Sequence, residues 1–423
     1  MREDFLHYLW RHKKFQLTHL KTNDDKELEV IDTGEHNHDS GPDFFNAKIR
    51  LDGQVWAGNV EIHLKSSDWY AHHHESDPAY DNVILHVVWV HDTEVFRKDN
   101  SEIDTLIIKD YISNDSIHGF QKLFGEKQKW INCENDFAGV DDFLLRNWME
   151  RLFFERLERK SNEIIDLLKY SRNDWEAVLF KMLAKNFGLK TNGESFLNIS
   201  NSFDFSVLRK ERIKEMNLQA LFFGQGGLLD HNIENAYYKD LKKIYAYQRN
   251  KYKLDNTWIV PLKFFRLRPS GFPTIRLSQL ANLYHLNSSL FSDIIESSSF
   301  DGIYEKFSIA PSEFWQTHYT FKKSSRKSKK NLTKSFIDLL IVNTIIPLKF
   351  SYARHQGKII DDELLKWISR LASEQNSIVD KFNNLRKVSK NGLHSQALIQ
   401  LKTNYCERNK CLHCAIGNSI LTN

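Results

Sequence analysis

Apolar and polar side chains alternate strictly through 60–65. Val60, Ile62 and Leu64 fall on one face of an extended strand, and Glu61, His63 and Lys65 fall on the other. Strand-like runs fill 27–31, 47–51, 55–65 and 83–90, with a weaker one at 105–108, and Asp52-Gly53 between two of them is a hairpin signal. Ahead of these, 2–14 reads as a short helix with Phe5, Leu6, Leu9 and Trp10 on one side, and 66–75 as a helix or tight connection. Near Asp141 the period changes. Apolar residues then recur at helical spacing in 143–168, 175–187, 213–223, 235–247, 277–286, 336–353, 361–372 and 394–405, and Pro269 and Pro273 bracket a bend. The pattern predicts an α+β protein, with an N-terminal α/β domain over 1–130 and a mostly α-helical region over 131–423.

Composition narrows the class. A chain of 423 residues, 41% hydrophobic and 27% charged, has the means to build a large core and is not a disordered segment. No run approaches 18 apolar residues and the start, MREDFLHYLW, is polar, so neither a membrane span nor a secretory leader is expected. Four cysteines at this length suit a reducing, cytoplasmic location. The net charge of +4 hides an asymmetry: the first 120 residues hold 12 basic against 23 acidic side chains and 12 of the 18 histidines, leaving the remainder strongly basic. An acidic, histidine-rich segment suits divalent cations, and a basic one suits a polyanion.

The most informative stretch joins Gly41-Pro42-Asp43 to GNVEIHLKSSDW at 58–69. Unpaired charge is costly to bury, so Glu61, His63 and Lys65 must meet water, one another or a cation. Asp43 starts the preceding strand and comes beside Glu61 if the two strands pair across Asp52-Gly53. Two neighbouring carboxylates repel, and Mg²⁺ or Mn²⁺ relieves that repulsion while activating water or polarising a phosphoryl oxygen. An aspartate, a hairpin and then acid-x-base resembles the PD-(D/E)xK nucleases. The resemblance implies a restriction-endonuclease-like first domain, with Asp43 and Glu61 as metal ligands. This sequence has His63 where that family has lysine, and Lys65 two residues on. Either can serve as the catalytic nitrogen, and a nuclease core without activity stays open.

Other residues crowd the same region. His86, in the apolar run VILHVVWV, reads as a core histidine with an accessory role. His72, His73 and His74 would not share one face of a helix, which favours a loop. His36 and His38 lie just ahead of the Gly-Pro-Asp turn, Glu3 offers an outer acid, and Asp68 suits capping.

Cys406, Cys411 and Cys414 form C-x4-C-x2-C near the C-terminus, with Cys133 far upstream. Three close thiols and a fourth suit a structural metal centre, either zinc or a [4Fe–4S] cluster. The arrangement of one upstream and three downstream cysteines resembles the iron–sulfur staple of some recombination and CRISPR-associated nucleases. Farther along, Arg266, Arg268 and Arg276 sit among aromatics in FFRLRPSGFPTIR, and KKSSRKSKK at 322–330 reads as a mobile basic loop. Arg266, Arg268, Lys322, Lys323, Arg326 and Lys327 are therefore candidate phosphate contacts.

GPDFFNAKI, GNVEIHLKSSDW, DPAYDNVILHVV, FFGQGGLL, FRLRPSGFP and YCERNKCLHCAIG together resemble the bacterial family catalogued as domain of unknown function 2851, over about Leu9 to Leu421. That resemblance brings no reaction. Function is expected from the residues: a metal-dependent nuclease acting on DNA rather than RNA. The alternatives are a non-catalytic nucleic-acid-binding protein on a degenerate nuclease core, and a zinc phosphoesterase using His63, His86 and one of His72–His74.

Overall fold

The computed structural model describes residues 1–37, 39–125 and 129–421, so His38 lies outside the described residues. The chain divides into two compact units. The first is Met1–Met149 with Asp380–Val388 and Leu398–Asn423; the second is Glu150–Val379 with Ser389–Ala397. Its contacts thus depart from a cut at 130/131, because the cysteine-bearing C-terminal segment folds with the first unit.

The first unit opens with helix α1 (Glu3–Arg11), whose Phe5, Leu6, Leu9 and Trp10 are fully buried. A seven-stranded sheet follows, built from β1 (Leu20–Lys21), β2 (Glu27–Asp32), β3 (Glu35–His36), β4 (Phe44–Leu51), β5 (Gln54–Lys65), β6 (Val83–Val90) and β7 (Thr105–Ile107). The order is β1-β2-β4-β5-β6-β7, with β3 also paired to β4. β4 and β5 form the expected hairpin, in which Asp52 and Gly53 both take positive φ, 45° and 82°, as a two-residue turn of matching twist requires. β5, β6 and β7 run parallel. The β5–β6 crossover contains α2 (Asp68–Ala71) and the short 3₁₀ turns His74–Ser76 and Pro78–Tyr80. A Cβ at Gly58 would lie 2.4 Å from Ile84 Cγ2 and 2.6 Å from the Asn82 carbonyl, so only glycine lets β5 pass this close to the start of β6. α3 (Asn114–Phe124) packs against the last helix, Ala415–Leu421.

α4 (Asp142–Tyr170) carries the chain into the second unit, which is helical apart from the small hairpin His318–Thr320/Lys323–Ser324. Its core includes the aromatic cluster Phe180, Phe203, Phe205, Phe222 and Tyr284. The sequence expectation misses the helices Leu189–Asn201 and Phe205–Glu211. FFGQGGLL does end a helix, Glu215–Gln225, at Gly226. The basic 322–330 segment is not wholly loop: Lys323–Ser324 pairs as a strand, and Lys330 Nζ donates to the carbonyls of Trp315 at 2.7 Å and His318 at 2.8 Å. The helical run Lys334–His355 is long and apolar enough to cross a membrane, against the sequence expectation, but 72% of its apolar window is buried in the protein, as a core helix requires.

Candidate metal centre

The site is built on one face of the β5–β6 pair. Glu61 and His86 are register partners, so their side chains leave the sheet on the same side, and His63 follows Glu61 one pleat along β5. Both β5 groups are nearly inaccessible, Glu61 at 4% and His63 at 1% exposure. Strand pairing brings Asp43 alongside, as expected. The Asp43 amide donates to Glu61 Oε2 at 3.1 Å, and the Ile62 amide donates to Asp43 Oδ2 at 3.0 Å. Glu61 is held by the backbone of Asp43, and Asp43 by the backbone of Ile62 next to Glu61.

The crossover supplies two histidines where the sequence reading offered only one of His72–His74. α2 stops at Ala71, His72 caps it, and His73 turns into the left-handed region at φ 61°. That reversal sends His74 back toward His63. His74 is held by stacking on Tyr80, with ring centroids 3.8 Å apart, and Trp69 packs edge-on against both. His63 Nε2 then lies 3.1 Å from His72 Nδ1 and 3.5 Å from Glu61 Oε1, and His74 Nε2 lies 3.3 Å from that same oxygen. His63, His72 and His74 form a group of three possible ligands whose donor atoms all lie within 4.8 Å of one another.

These separations have a chemical meaning. Ligand atoms about 2.0–2.1 Å from a tetrahedral ion are about 3.3–3.4 Å apart, and the contacts His63–His72, His63–Glu61 and His74–Glu61, at 3.1–3.5 Å, are of that size. Electrostatics agree. Burial, reinforced by the charges of His74, His72 and His7, pushes His63 down to about 3, leaving it neutral with a lone pair to give. Burial and the neighbouring Asp43 carboxylate push Glu61 up to about 9.

His86 does not face the cluster. Its Nε2 meets His63 Nδ1 at 2.9 Å, so it orients the ligand ring instead of binding beside it. From α1, His7 Nε2 sits 3.2 Å from Asp43 Oδ2 and 3.9 Å from Glu3 Oε1. Burial disfavours charge on His7, but its bond to Asp43 and the charges of Asp43, Glu3 and Glu61 outweigh that and raise its pKa. Glu3 thus joins the site through His7. The spacing Glu3-x-x-x-His7 on the polar side of an amphipathic helix was the available signal for His7.

Lys65 departs from expectation. It is exposed, and among the described residues its side chain makes no hydrogen bond or ion pair with Asp43 or Glu61. β5 ends there because the Lys65 amide is captured by Asp68 Oδ2 at 2.9 Å, which is the role Asp68 plays. Arg266, Arg268, Lys322, Lys323, Arg326 and Lys327 are all exposed in the second unit. Arg276 is internal, its guanidinium 3.7 Å from the Phe336 ring centre, and burial lowers it to about 10.

The four cysteines are all thiols and all belong to the first unit. Burial raises every one. The neighbouring sulfurs add to the rise at Cys133, Cys406 and Cys414, the last reaching about 11. N–H donors nonetheless point at sulfur: Asn132 Nδ2 reaches Cys411 Sγ at 3.3 Å, and the Gly417 and Ile416 amides favour the Cys414 thiolate.

The fold and geometry define a mixed α+β protein carrying a histidine–carboxylate cluster spaced for a metal ion. Residues 3–377 match the family described as protein of unknown function DUF2851, and the chain belongs to that family. No curated protein and no solved structure matches it.

Proposed function

We propose that this protein is a metal-dependent phosphodiester hydrolase, a nuclease-like enzyme acting on nucleic acid, DNA before RNA. The observation that carries the reading is the Asp43–Glu61 pair, fixed by the Asp43 and Ile62 amides, beside the imidazoles of His63, His72 and His74. The order of helix, antiparallel hairpin, crossover helix and parallel strand supports a restriction-endonuclease-like core. The donor set changes the expected ion. Imidazole-rich sites suit zinc, whereas magnesium and manganese prefer oxygen ligands and water, of which Glu61 offers one. His63, His72, His74 and Glu61 would hold the ion. A divalent cation bound there supplies Lewis acidity toward a phosphoryl oxygen and lowers the pKa of a water. Asp43 Oδ1 carries no hydrogen bond among the described residues and can accept a proton from an attacking water, with His7 stabilising the carboxylate from the other side.

The exposed cations Arg266, Arg268, Lys322, Lys323, Arg326 and Lys327 would neutralise backbone phosphates, making binding salt-sensitive. The cysteine centre is structural. Four thiols suit either zinc or a [4Fe–4S] cluster. A second reading, a zinc phosphoesterase of small substrates, is favoured by the three-histidine cluster; its ligands would be His63, His72 and His74, with His86 behind them.

The test is cleavage of single- and double-stranded DNA, RNA and a small chromogenic phosphodiester, with Mg²⁺, Mn²⁺ or Zn²⁺ added in turn. Wild type should cleave with Mn²⁺ or Zn²⁺. Asp43→Asn should keep the metal and lose at least about a hundred-fold in rate, as loss of a general base does. Glu61→Gln should lose both. Equal cleavage by wild type and both variants would reject the assignment. Salt-sensitive DNA binding with no product under any ion would establish the non-catalytic alternative, and turnover of the small ester alone the phosphoesterase.

A further inference from the structure

In the helical unit, Arg156 and Lys160 stand one turn apart on α4, both partly buried. They share one neutral acceptor: Lys160 Nζ donates to Asn343 Oδ1 at 2.9 Å, and Arg156 Nη2 donates to the same oxygen at 3.4 Å. Among the described residues neither makes an ion pair with a carboxylate. Like charges at this spacing repel, and uncompensated buried charge is strongly unfavourable. Burial, with Arg156 adding, pushes the Lys160 ammonium well below its ordinary range, and burial, with Arg159 adding, lowers Arg156 to about 10.

Asn343 is presented by an irregularity. The helix Lys334–Leu340 widens into a π turn over Ile341–Ile345 before resuming at Ile346, and such single π turns are frequent at functional sites. The next residue of that turn, Thr344, accepts from Asn186 Nδ2 at 2.8 Å, which fixes the turn against the helix Trp175–Phe187.

A cavity of about 480 Å³ opens beside this pair, a size in the ordinary range for small-molecule sites. Lys160, Lys181, Lys185 and Asn343 line its polar side, Glu163 is its one acid, and the rest of the wall is largely aliphatic. Lys181 is tied to Ser171 Oγ at 3.1 Å, and Lys185 lies 3.7 Å from Glu194, leaving Lys160 with no partner but an amide.

We propose that this cavity binds a small organic oxyanion, a carboxylate or phosphate group on an apolar body, with Lys160 as its direct contact and Arg156 as the charge behind it. The inference is independent of the metal centre. It explains why two cations converge on a neutral oxygen at the edge of an aliphatic space: the bound anion supplies the direct counter-charge that Glu163 and Glu374, which make no ion pair with either, do not.

The test is calorimetry on the full chain with two probes, sodium octanoate and inorganic phosphate. Saturable binding of either supports the site; octanoate alone identifies a carboxylate with an apolar tail, and phosphate alone a phosphate head. Lys160→Met should weaken binding about ten-fold or more, the value of one charge-assisted hydrogen bond. Asn343→Asp places a carboxylate of the same shape against both cations, and should abolish binding while raising the melting temperature. That variant keeps the proposal testable if Lys160→Met misfolds. No binding of either probe up to about 10 mM, weaker than a specific site, overturns the proposal, as does undiminished binding by Asn343→Asp.

Discussion

The Nδ1 of His63 lies 2.9 Å from the Nε2 of His86, inside the sheet and closed to water. Burial, reinforced by His63 and His74, drives the His86 pKa well down, so the pair is neutral. A neutral imidazole carries one N–H and one lone pair. If His63 donates from Nδ1 to His86, its Nε2 lone pair necessarily faces His72 and Glu61. One bond between two strands sets the direction in which the ligand ring can give electrons.

Replacing His86 by Leu, close in volume but without nitrogen, should therefore weaken metal binding about 10–100-fold while leaving every ligand in place. Affinity measured by competition with a chromophoric chelator checks this. Unchanged affinity would mean that His86 is only a core residue.

The close passage of β5 over β6 depends on Gly58. Gly58→Ala puts a methyl where Ile84 Cγ2 and the Asn82 carbonyl already stand, and overpacking of this kind destabilises by about 1–3 kcal/mol. Because Glu61 and His63 leave β5 just beyond, metal affinity should fall together with the denaturation midpoint. A loss of stability with affinity intact would show that the register of the site is set elsewhere.

What could be read from the sequence follows from the range of the forces involved. Alternation over 60–65 and the Asp52-Gly53 turn are local, so the Glu61–His63 face and its pairing with Asp43 were legible before any coordinates. His72 and His74 were not. A helix would carry them apart, and only the left-handed turn at His73, held by packing of Trp69 and Tyr80, returns His74 to the cluster. Lys65 belongs to the same alternation but falls beyond the last buried pleat, where Asp68 terminates the strand. The helix Leu189–Asn201 was hidden by Asn192 and Gly193, poor helix formers. Asn192 is there because its amide holds the Lys263 backbone from both sides, at 2.8 and 2.9 Å.

At the cysteines, a Cβ on Gly417 would fall 2.1 Å from the Cys411 carbonyl. Gly417→Ala must push the Cys411 turn away from the helix that follows Cys414. The expected result is loss of metal or cluster from the purified protein and a lower melting temperature, matching Cys414→Ser. Anaerobic absorption and metal analysis check both variants. A full complement of metal in Gly417→Ala would show that the thiols do not depend on this turn.

Lys160 gives a pH dependence whose sign follows from its burial. Arg156 and Arg159 oppose its charge, Glu163 and Glu374 favour it, Asn343 is its neutral partner, and desolvation dominates. Its folded pKa lies below the ordinary lysine value of 10.5, so between the two the unfolded chain holds a proton that the folded chain lacks. Stability then rises with pH across that window, and below it the folded protein carries the full penalty of a buried charge. Lys160→Met removes the group from both states. In the absence of added anion, denaturation measured from pH 7 to 10.5 should show wild type gaining on the variant as pH rises. The variant's disadvantage, if any, should be smallest at the low end of that range, since replacing a buried charge with a fitted apolar side chain is often neutral or favourable. Parallel curves for the two proteins would mean that Lys160 keeps an ordinary pKa in the folded state, and that the cavity beside it is well enough hydrated to need no counter-ion.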